Sequence, residues 1–293
     1  MAYWSKSTVK PRHLETLVAQ GSLPPLTDAV EWAVPGNERR PEPPSGYVVS
    51  FVAFHERGFG VPAGAFLRGT LEYYGLELQH LTPNGVQHLA AFVALCEGYL
   101  GCEAHTKLFW HLFGFFLQRG QDKHPAAIGC AALRAKSGRG GSYLSAELTT
   151  SNKGWHSGWF YLRNDAERPL PRYTGRTFDT APEKWRWGTA KERWDSLKPV
   201  VEALSVLKSR GVDLAEVIGA YLFRGVVPLR LRPLKLYEMT EARAPFAGTV
   251  TASSAPSVDE VRRRVRTIMG NLSLEFPNQG ILPMLPHPDT VAL

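Results

Sequence analysis

The stretch from Phe66 to Phe116 is the densest apolar and aromatic block of the chain, and it constrains the fold more than any other feature. Within it, Thr82 and Pro83 supply a helix start. A threonine hydroxyl can accept a hydrogen bond from the free amides of the first turn, and a proline at the first helical position loses no hydrogen bond. Gly101 supplies an end. Between them, apolar residues recur at intervals of three and four and form one stripe of a helix: Val86, Leu89, Ala90, Phe92, Val93, Cys96 and Leu100.

Two flanking segments have the same periodicity and can cover this stripe. One runs from Phe66 to Tyr74 and the other from Leu108 to Phe116. We therefore predict three helices packed as one unit. The side chains expected to be buried in it are Leu89, Phe92, Val93, Leu112 and Phe116.

Strand signals lie on both sides of the helical block. Tyr47 to Phe54 is β-branched and aromatic and predicts a strand, with a buried helix start as the alternative. After Gln118, three short apolar runs divided by glycine-rich turns predict a small antiparallel sheet: Ala126 to Leu133, Tyr143 to Leu148 and Trp159 to Leu162. Together these patterns predict an α+β fold with a mainly α-helical core and a small antiparallel sheet inserted between Ala126 and Arg163.

The remaining chain divides into further helices and a tail. Lys10 to Gln20 and Lys191 to Lys208 show amphipathic spacing, the second interrupted by Pro199, and a helix from Asp213 to Phe223 is expected to complete a pair that packs on the core. From residue 244 onward the sequence predicts a flexible linker and a short basic helix in a tail that largely lacks a fixed fold. We therefore expect one domain over residues 1–243 and a tail over 244–293.

Composition limits the partners and the compartment. The formal net charge is +7, which favours anionic partners such as nucleic acid or an acidic membrane surface. Three cysteines and the lack of an opening hydrophobic signal segment predict an intracellular, reducing location, with nucleus and cytoplasm left open. Charged residues and glycines interrupt every apolar run well before about 20 residues, so no membrane span and no membrane partner are expected.

Catalytic and metal-binding patterns are weak. Cys96, Cys102, His105 and His111 have the residue types of a zinc site, but the cysteine spacing is too wide for one, and Cys96 fits a core position. Three carboxylates, Glu147, Asp165 and Glu183, form the nearest set that could bind magnesium in a nuclease, although nothing in the sequence makes them converge. We predict no catalytic residue, no metal and no cofactor.

Basic segments with aromatic neighbours are the remaining functional candidates. The predicted nucleic-acid-binding residues are Arg134, Lys136 and Arg139 in a basic turn, and Arg230, Arg232 and Lys235 in an extended segment. The alternative is a solvated basic face. Trp185, Trp187 and Trp194 can stack on bases, but tryptophans at this density are more typical of a core.

The order of several short motifs resembles the gypsy-type transposon domain of plant retroelement-derived proteins. The motifs are Phe66 to Arg68, Tyr74 to Leu76, Leu78 to Asn84, Phe92-Val93, Leu95 to Glu97, Leu100-Gly101, Gly154-Trp155 and Trp159 to Tyr161. The resemblance extends over about residues 1 to 240. It implies a transposase-like or Gag-like origin and brings no catalytic residues with it.

We therefore expect a non-enzymatic, Gag-like domain that associates with itself or binds RNA or DNA. Two alternatives stay open: a transposase or nuclease that uses the three carboxylates with magnesium, and a module that binds a host protein or has no selected function.

Overall fold

The computed structural model describes residues 4–19, 22–27, 30–61, 63–100, 104, 106–119, 127–136, 143–144, 154–167, 169–186, 194–209, 212 and 217. These residues form an α+β fold of helices and two small antiparallel sheets, which confirms the predicted fold class. The helices are α1 (Pro11–Ala19), α2 (Val52–His55), α3 (Ala65–Tyr74), α4 (Pro83–Ala94), α5 (Thr106–Leu112) and α6 (Trp194–Ser209). The strands are β1 (Trp32–Ala33), β2 (Tyr47–Phe51), β3 (Phe113–Leu117), β4 (Ala131–Ala135) and β5 (Trp159–Arg163).

The start of α4 is the one the sequence predicts. The Thr82 hydroxyl accepts a hydrogen bond from the Gly85 amide at 3.0 Å, and Pro83 occupies the first helical position. Beyond Ala94 the helix widens into a π-helical segment, Leu95–Leu100. The preceding α3 ends at Gly75, whose φ of 65° is in the left-handed region that glycine adopts without a Cβ clash.

Phe92 lies at the centre of the aromatic core. Its ring stacks on Phe66 at 5.4 Å and meets the edges of Phe109 at 5.3 Å and Phe113 at 6.1 Å. Leu89, Phe92, Val93 and Leu112 are fully buried, as predicted. The block from Phe66 onward is therefore a mainly helical core in which aromatic rings pack among a larger number of aliphatic side chains.

The main sheet is assembled differently from the prediction. Its strand order is β1-β5-β2, all antiparallel, so the predicted strand β5 lies between two strands from the first fifty-one residues. Val49 is opposite Tyr161, and Phe51 is opposite Trp159. The sheet is thus no insertion between Ala126 and Arg163. The predicted strand at Tyr47 forms, but it ends at Phe51 and continues as α2.

The second sheet corrects the third predicted core helix. Helix α5 stops at Leu112, and the residues from Phe113 to Leu117 form β3, which pairs with β4. Gly114 explains part of this change, since glycine disfavours a helix interior and lets neighbouring chain approach closely. The spacing of Leu108, Leu112 and Phe115 fits a helix, so periodicity alone gave the wrong assignment.

Helix α6 packs against the core, as expected. It contacts α5 and the π-helical segment, and Pro199 lies inside it. The predicted helix from Asp213, most of the run from Tyr143, the extended segment from Val226 and the tail lie outside the described residues, so their assignments stay predictions.

Candidate nucleic-acid interface

The β3–β4 hairpin has one buried face and one outer face. Phe113, Phe115, Ala131 and Leu133 point into the core and are almost fully buried. Strand alternation places Gly114 and Phe116 of β3 on the outer face with Ala132 and Arg134 of β4. Phe116 is opposite Ala132, so Arg134 is its diagonal neighbour and lies within reach of its ring.

Phe116 is flanked by two guanidinium groups. The Cζ atoms of Arg134 and Arg186 each lie 5.7 Å from the centroid of its ring. These are cation–π distances, and the attraction helps to hold two like charges near one ring. Phe116 is only partly buried, which corrects the prediction that it belongs to the core. An aromatic ring with two cations within cation–π distance therefore stands on the outer face of the hairpin.

The turn Glu183–Trp185 places Arg186 at this ring. Trp185 is fully buried, and its indole N–H donates to the Tyr74 carbonyl at 3.0 Å. Its own carbonyl lies 3.0 Å from the position that a Cβ on Gly114 would occupy, so the turn is seated on the glycine of β3. The tryptophan anchors the turn and directs the residue that follows it, Arg186, toward Phe116.

An open cleft of about 530 Å³ adjoins the flanked ring. Arg119 and Arg186 line it with Leu117 and the exposed carboxylate of Glu183. The Arg119 guanidinium donates to the carbonyl of Asp179, the residue before Thr180 of the cleft lining. The cleft is thus lined by two arginines and one carboxylate.

Lys136 extends the basic surface along the same outer face of the hairpin, next to Gly114. Its ammonium group donates to the Trp110 carbonyl, and its Cε lies 3.2 Å from the Cβ position of Gly114. We call the set Phe116, Arg119, Arg134, Lys136 and Arg186 the Phe116 face.

Two more cations lie close by, at the end of α3. Lys184 Nζ and Arg176 Nη1 are 3.1 and 3.7 Å from the Cβ position of Gly75. Within the described part of the chain, Arg134, Arg176, Lys184 and Arg186 make no ion pair or hydrogen bond through their charged groups. Charges of this kind can bind an anion without first losing an ion pair or a hydrogen bond to a described residue.

The predicted binding residues are only partly covered. Arg134 and Lys136 lie on the Phe116 face, whereas Arg139, Arg230, Arg232 and Lys235 lie outside the described residues. Sequence reasoning missed Phe116 as a surface aromatic and missed Arg119 and Arg186. The alternation Lys184-Trp185-Arg186 was an available signal, because a buried tryptophan between two basic residues leaves both basic side chains near the surface.

A serine and a histidine meet in the core without forming an accessible catalytic site. Ser50 Oγ and His55 Nε2 are 2.9 Å apart, and both residues are fully buried. His55 Nδ1 donates to the Ser22 carbonyl at 3.3 Å, so Nε2 accepts the serine proton. Burial lowers the pKa of His55 to about 3. The pair therefore ties α2 to β2 as a neutral hydrogen bond.

A second polar network surrounds Glu77. Its carboxylate accepts hydrogen bonds from the Gln79 side chain at 2.6 Å and the Thr174 amide at 2.8 Å. The Glu77 amide donates to His80 Nδ1, so the His80 proton is on Nε2, which donates to the Arg176 carbonyl at 2.9 Å. This network fastens the 174–176 loop to the helical core and thereby positions Arg176.

Metal-ligand groups do not converge in the part of the chain that is described. No three histidine, cysteine, aspartate or glutamate side chains there are placed to hold an ion. Asp165 follows β5, Glu183 borders the cleft beside β3, and Glu147 is outside the described residues. Of the zinc candidates, Cys96 and His111 are buried, and Cys102 and His105 are not described.

Comparison with known proteins gives one family. Residues 48–116 match the family model described as "Putative gypsy type transposon", which confirms the predicted resemblance over that range. A search of the curated proteins and a search of the solved structures gave no match. The match supports a retroelement-derived origin.

The matched range runs from β2 to Phe116. It contains the helical core, whereas Arg134, Lys136 and Arg186 lie beyond it. The motifs from Gly154 to Tyr161 that also suggested the resemblance fall outside it too. The family match therefore bears on the origin of the core and not on the chemistry of the Phe116 face.

Among the described residues, no helix has both the length and the apolar character needed to cross a bilayer.

Proposed function

We propose that this protein is a non-enzymatic, Gag-like domain of retroelement origin that binds nucleic acid through the Phe116 face. The observation that carries the proposal is the Phe116 ring with Arg134 and Arg186 beside it, both without an ion pair in the described structure. Guanidinium groups match phosphate oxygens in geometry and charge, so a phosphate backbone is the ligand that this arrangement favours.

A solvated basic surface is the competing explanation. On such a surface the two guanidinium groups would take independent positions, and salt would screen them in water. Here the turn at Glu183–Trp185 and the diagonal position across the hairpin hold both groups at one ring. The net charge of +7 points in the same direction, because a cationic protein attracts polyanions at long range.

The test is a fluorescence-anisotropy titration of the full chain with a labelled single-stranded oligonucleotide at low salt. The double variant Arg134→Ala/Arg186→Ala removes both guanidinium groups and should weaken binding by at least about tenfold, since a hydrogen bond to a charged group contributes about 1.5–3 kcal/mol. Arg12→Ala removes an exposed arginine from α1 and serves as the matched control.

Equal loss in the double variant and in Arg12→Ala would assign binding to overall charge and contradict this site. The non-enzymatic part of the proposal has its own assay: cleavage of the labelled strand in the presence of magnesium, lost on Glu183→Gln, would overturn it.

A further inference from the structure

Tyr73 is an exposed aromatic side chain with a ring already stacked beneath it. It lies in the last turn of α3, and 37% of its surface is open to solvent. Its ring is nearly parallel to that of Trp110, with 4.2 Å between centroids and 22° between planes, and Tyr74 meets it edge-on at 4.9 Å. Trp110 and Tyr74 fix the orientation of the ring, so the remaining exposed surface is a prepared stacking surface.

This aromatic pair is connected to the Phe116 face. Lys136 donates to the Trp110 carbonyl and contacts the position above Gly114, so it lies between Trp110 and the outer face of the hairpin. On the other side, Lys184 and Arg176 lie at Gly75, two residues after Tyr73. The surface thus presents two aromatic rings, Tyr73 and Phe116, with two guanidinium groups at Phe116 and with Lys136 between Trp110 and the hairpin.

The bases of a duplex cannot stack on such exposed aromatic rings. In a double helix the faces of each base are covered by its neighbours, whereas the bases of a single strand can unstack and lie on protein aromatic rings. The cations of the Phe116 face can bind the phosphates of the same strand. Stacking is also tolerant of base identity, because every base has a flat π-face.

We infer that the ligand of this surface is a single-stranded nucleic acid, bound with little sequence preference, with one unpaired base stacked on Tyr73 and its phosphates held by Lys136 and the cations of the Phe116 face. This inference rests on the proposed function and narrows it to one class of ligand.

The experiment compares a labelled single strand of about 20 nucleotides, in deoxy and ribo forms, with the matching duplex, using the full chain. Tyr73→Leu should weaken binding of the single strand by about tenfold and leave duplex binding unchanged, since the variant loses the ring on which one base stacks. Tyr73→Phe keeps the ring and should bind like the original protein. Tighter binding of the deoxy or the ribo strand would identify the sugar, and both results support the inference.

Two controls keep the outcome clear. Leu26→Ala changes the other exposed large apolar side chain of the described residues and should have no effect on either ligand. Circular dichroism of Tyr73→Leu must match that of the original protein, and Tyr73→Ser provides a second ring-free variant if it does not.

The failures are distinguishable. Equal affinity for single strand and duplex, with Tyr73→Leu neutral and Arg134→Ala/Arg186→Ala still defective, overturns this inference and leaves the proposed function standing. No binding of either ligand at low salt overturns both.

Discussion

Three histidines, of which His55 and His80 are buried and His88 is partly buried, make the folded protein sensitive to acid. Desolvation lowers the pKa of His55 from 6.5 to about 3 and that of His88 to about 4, and burial lowers the pKa of His80 as well. Below about pH 6.5 the unfolded chain takes up protons that these folded side chains do not. The free energy of unfolding is therefore highest above pH 6.5, where these side chains are neutral in both states, and it falls as the pH is lowered toward 3.

For His55 and His88, we expect the free energy of unfolding to fall by about 1.4 kcal/mol for each pH unit and each histidine below pH 6, measured by urea denaturation between pH 7.5 and 5. The variant His55→Gln should be less stable at neutral pH because it lacks the imidazole ring that joins Ser50 to the Ser22 carbonyl. Its free energy of unfolding should also change less steeply with pH, because one fewer proton is taken up on unfolding. Parallel pH profiles for the variant and the original protein would contradict the role assigned to His55.

Substitution of Phe92 tests, for a single residue, whether the aromatic cluster is enclosed in the core. It is fully buried among Phe66, Phe109 and Phe113, so Phe92→Ala should lower the free energy of unfolding by about 3–5 kcal/mol through lost contacts and a cavity. Leu26→Ala, at a side chain that is 55% exposed, should change it by less than about 0.5 kcal/mol. Chemical denaturation measures both, and equal effects of the two substitutions would show that Phe92 is not enclosed.

At the scale of elements, the Thr82 cap determines where α4 begins. Its hydroxyl satisfies the Gly85 amide, and Thr82→Ala leaves that donor without this partner. We expect a loss of about 1 kcal/mol in the free energy of unfolding, while Thr82→Ser keeps the acceptor and most of the stability. A serine variant as unstable as the alanine variant would assign the effect to the threonine methyl group.

Local signals explain which elements could be predicted from the sequence. The start of α4 needs only Thr82 and Pro83, and β5 needs only its own aromatic residues, so both were found. The pairing of β2 with β5 joins positions more than a hundred residues apart, and no local pattern encodes it. Phe113 to Leu117 became a strand because β4 offers it hydrogen bonds, which is a tertiary effect that overrides helical spacing.

The candidate site shows the same limit. Arg134 and Lys136 were found because they stand in one basic run. Arg186 joins Arg134 only after β3 and β4 pair and Trp185 seats its turn on Gly114. Phe116 was assigned to the core because an aromatic residue at helical spacing usually is buried, whereas its strand turns it outward.

At the scale of the whole molecule, an aromatic helical core carries a basic outer face. The family match covers the core, and all four cations of the Phe116 face come from sequence after it. Self-association, an intracellular location and the division at residue 243 stay predictions. Light scattering during size-exclusion chromatography, with and without oligonucleotide, would test self-association.

The most direct measurement for this account is the salt dependence of oligonucleotide binding by the full chain and by Arg134→Ala/Arg186→Ala. If both guanidinium groups bind phosphates of a single strand, the slope of log affinity against log salt should be shallower in the variant by about 1.4, or about 0.7 per phosphate contact. An unchanged slope with unchanged affinity would show that the Phe116 face does not bind nucleic acid.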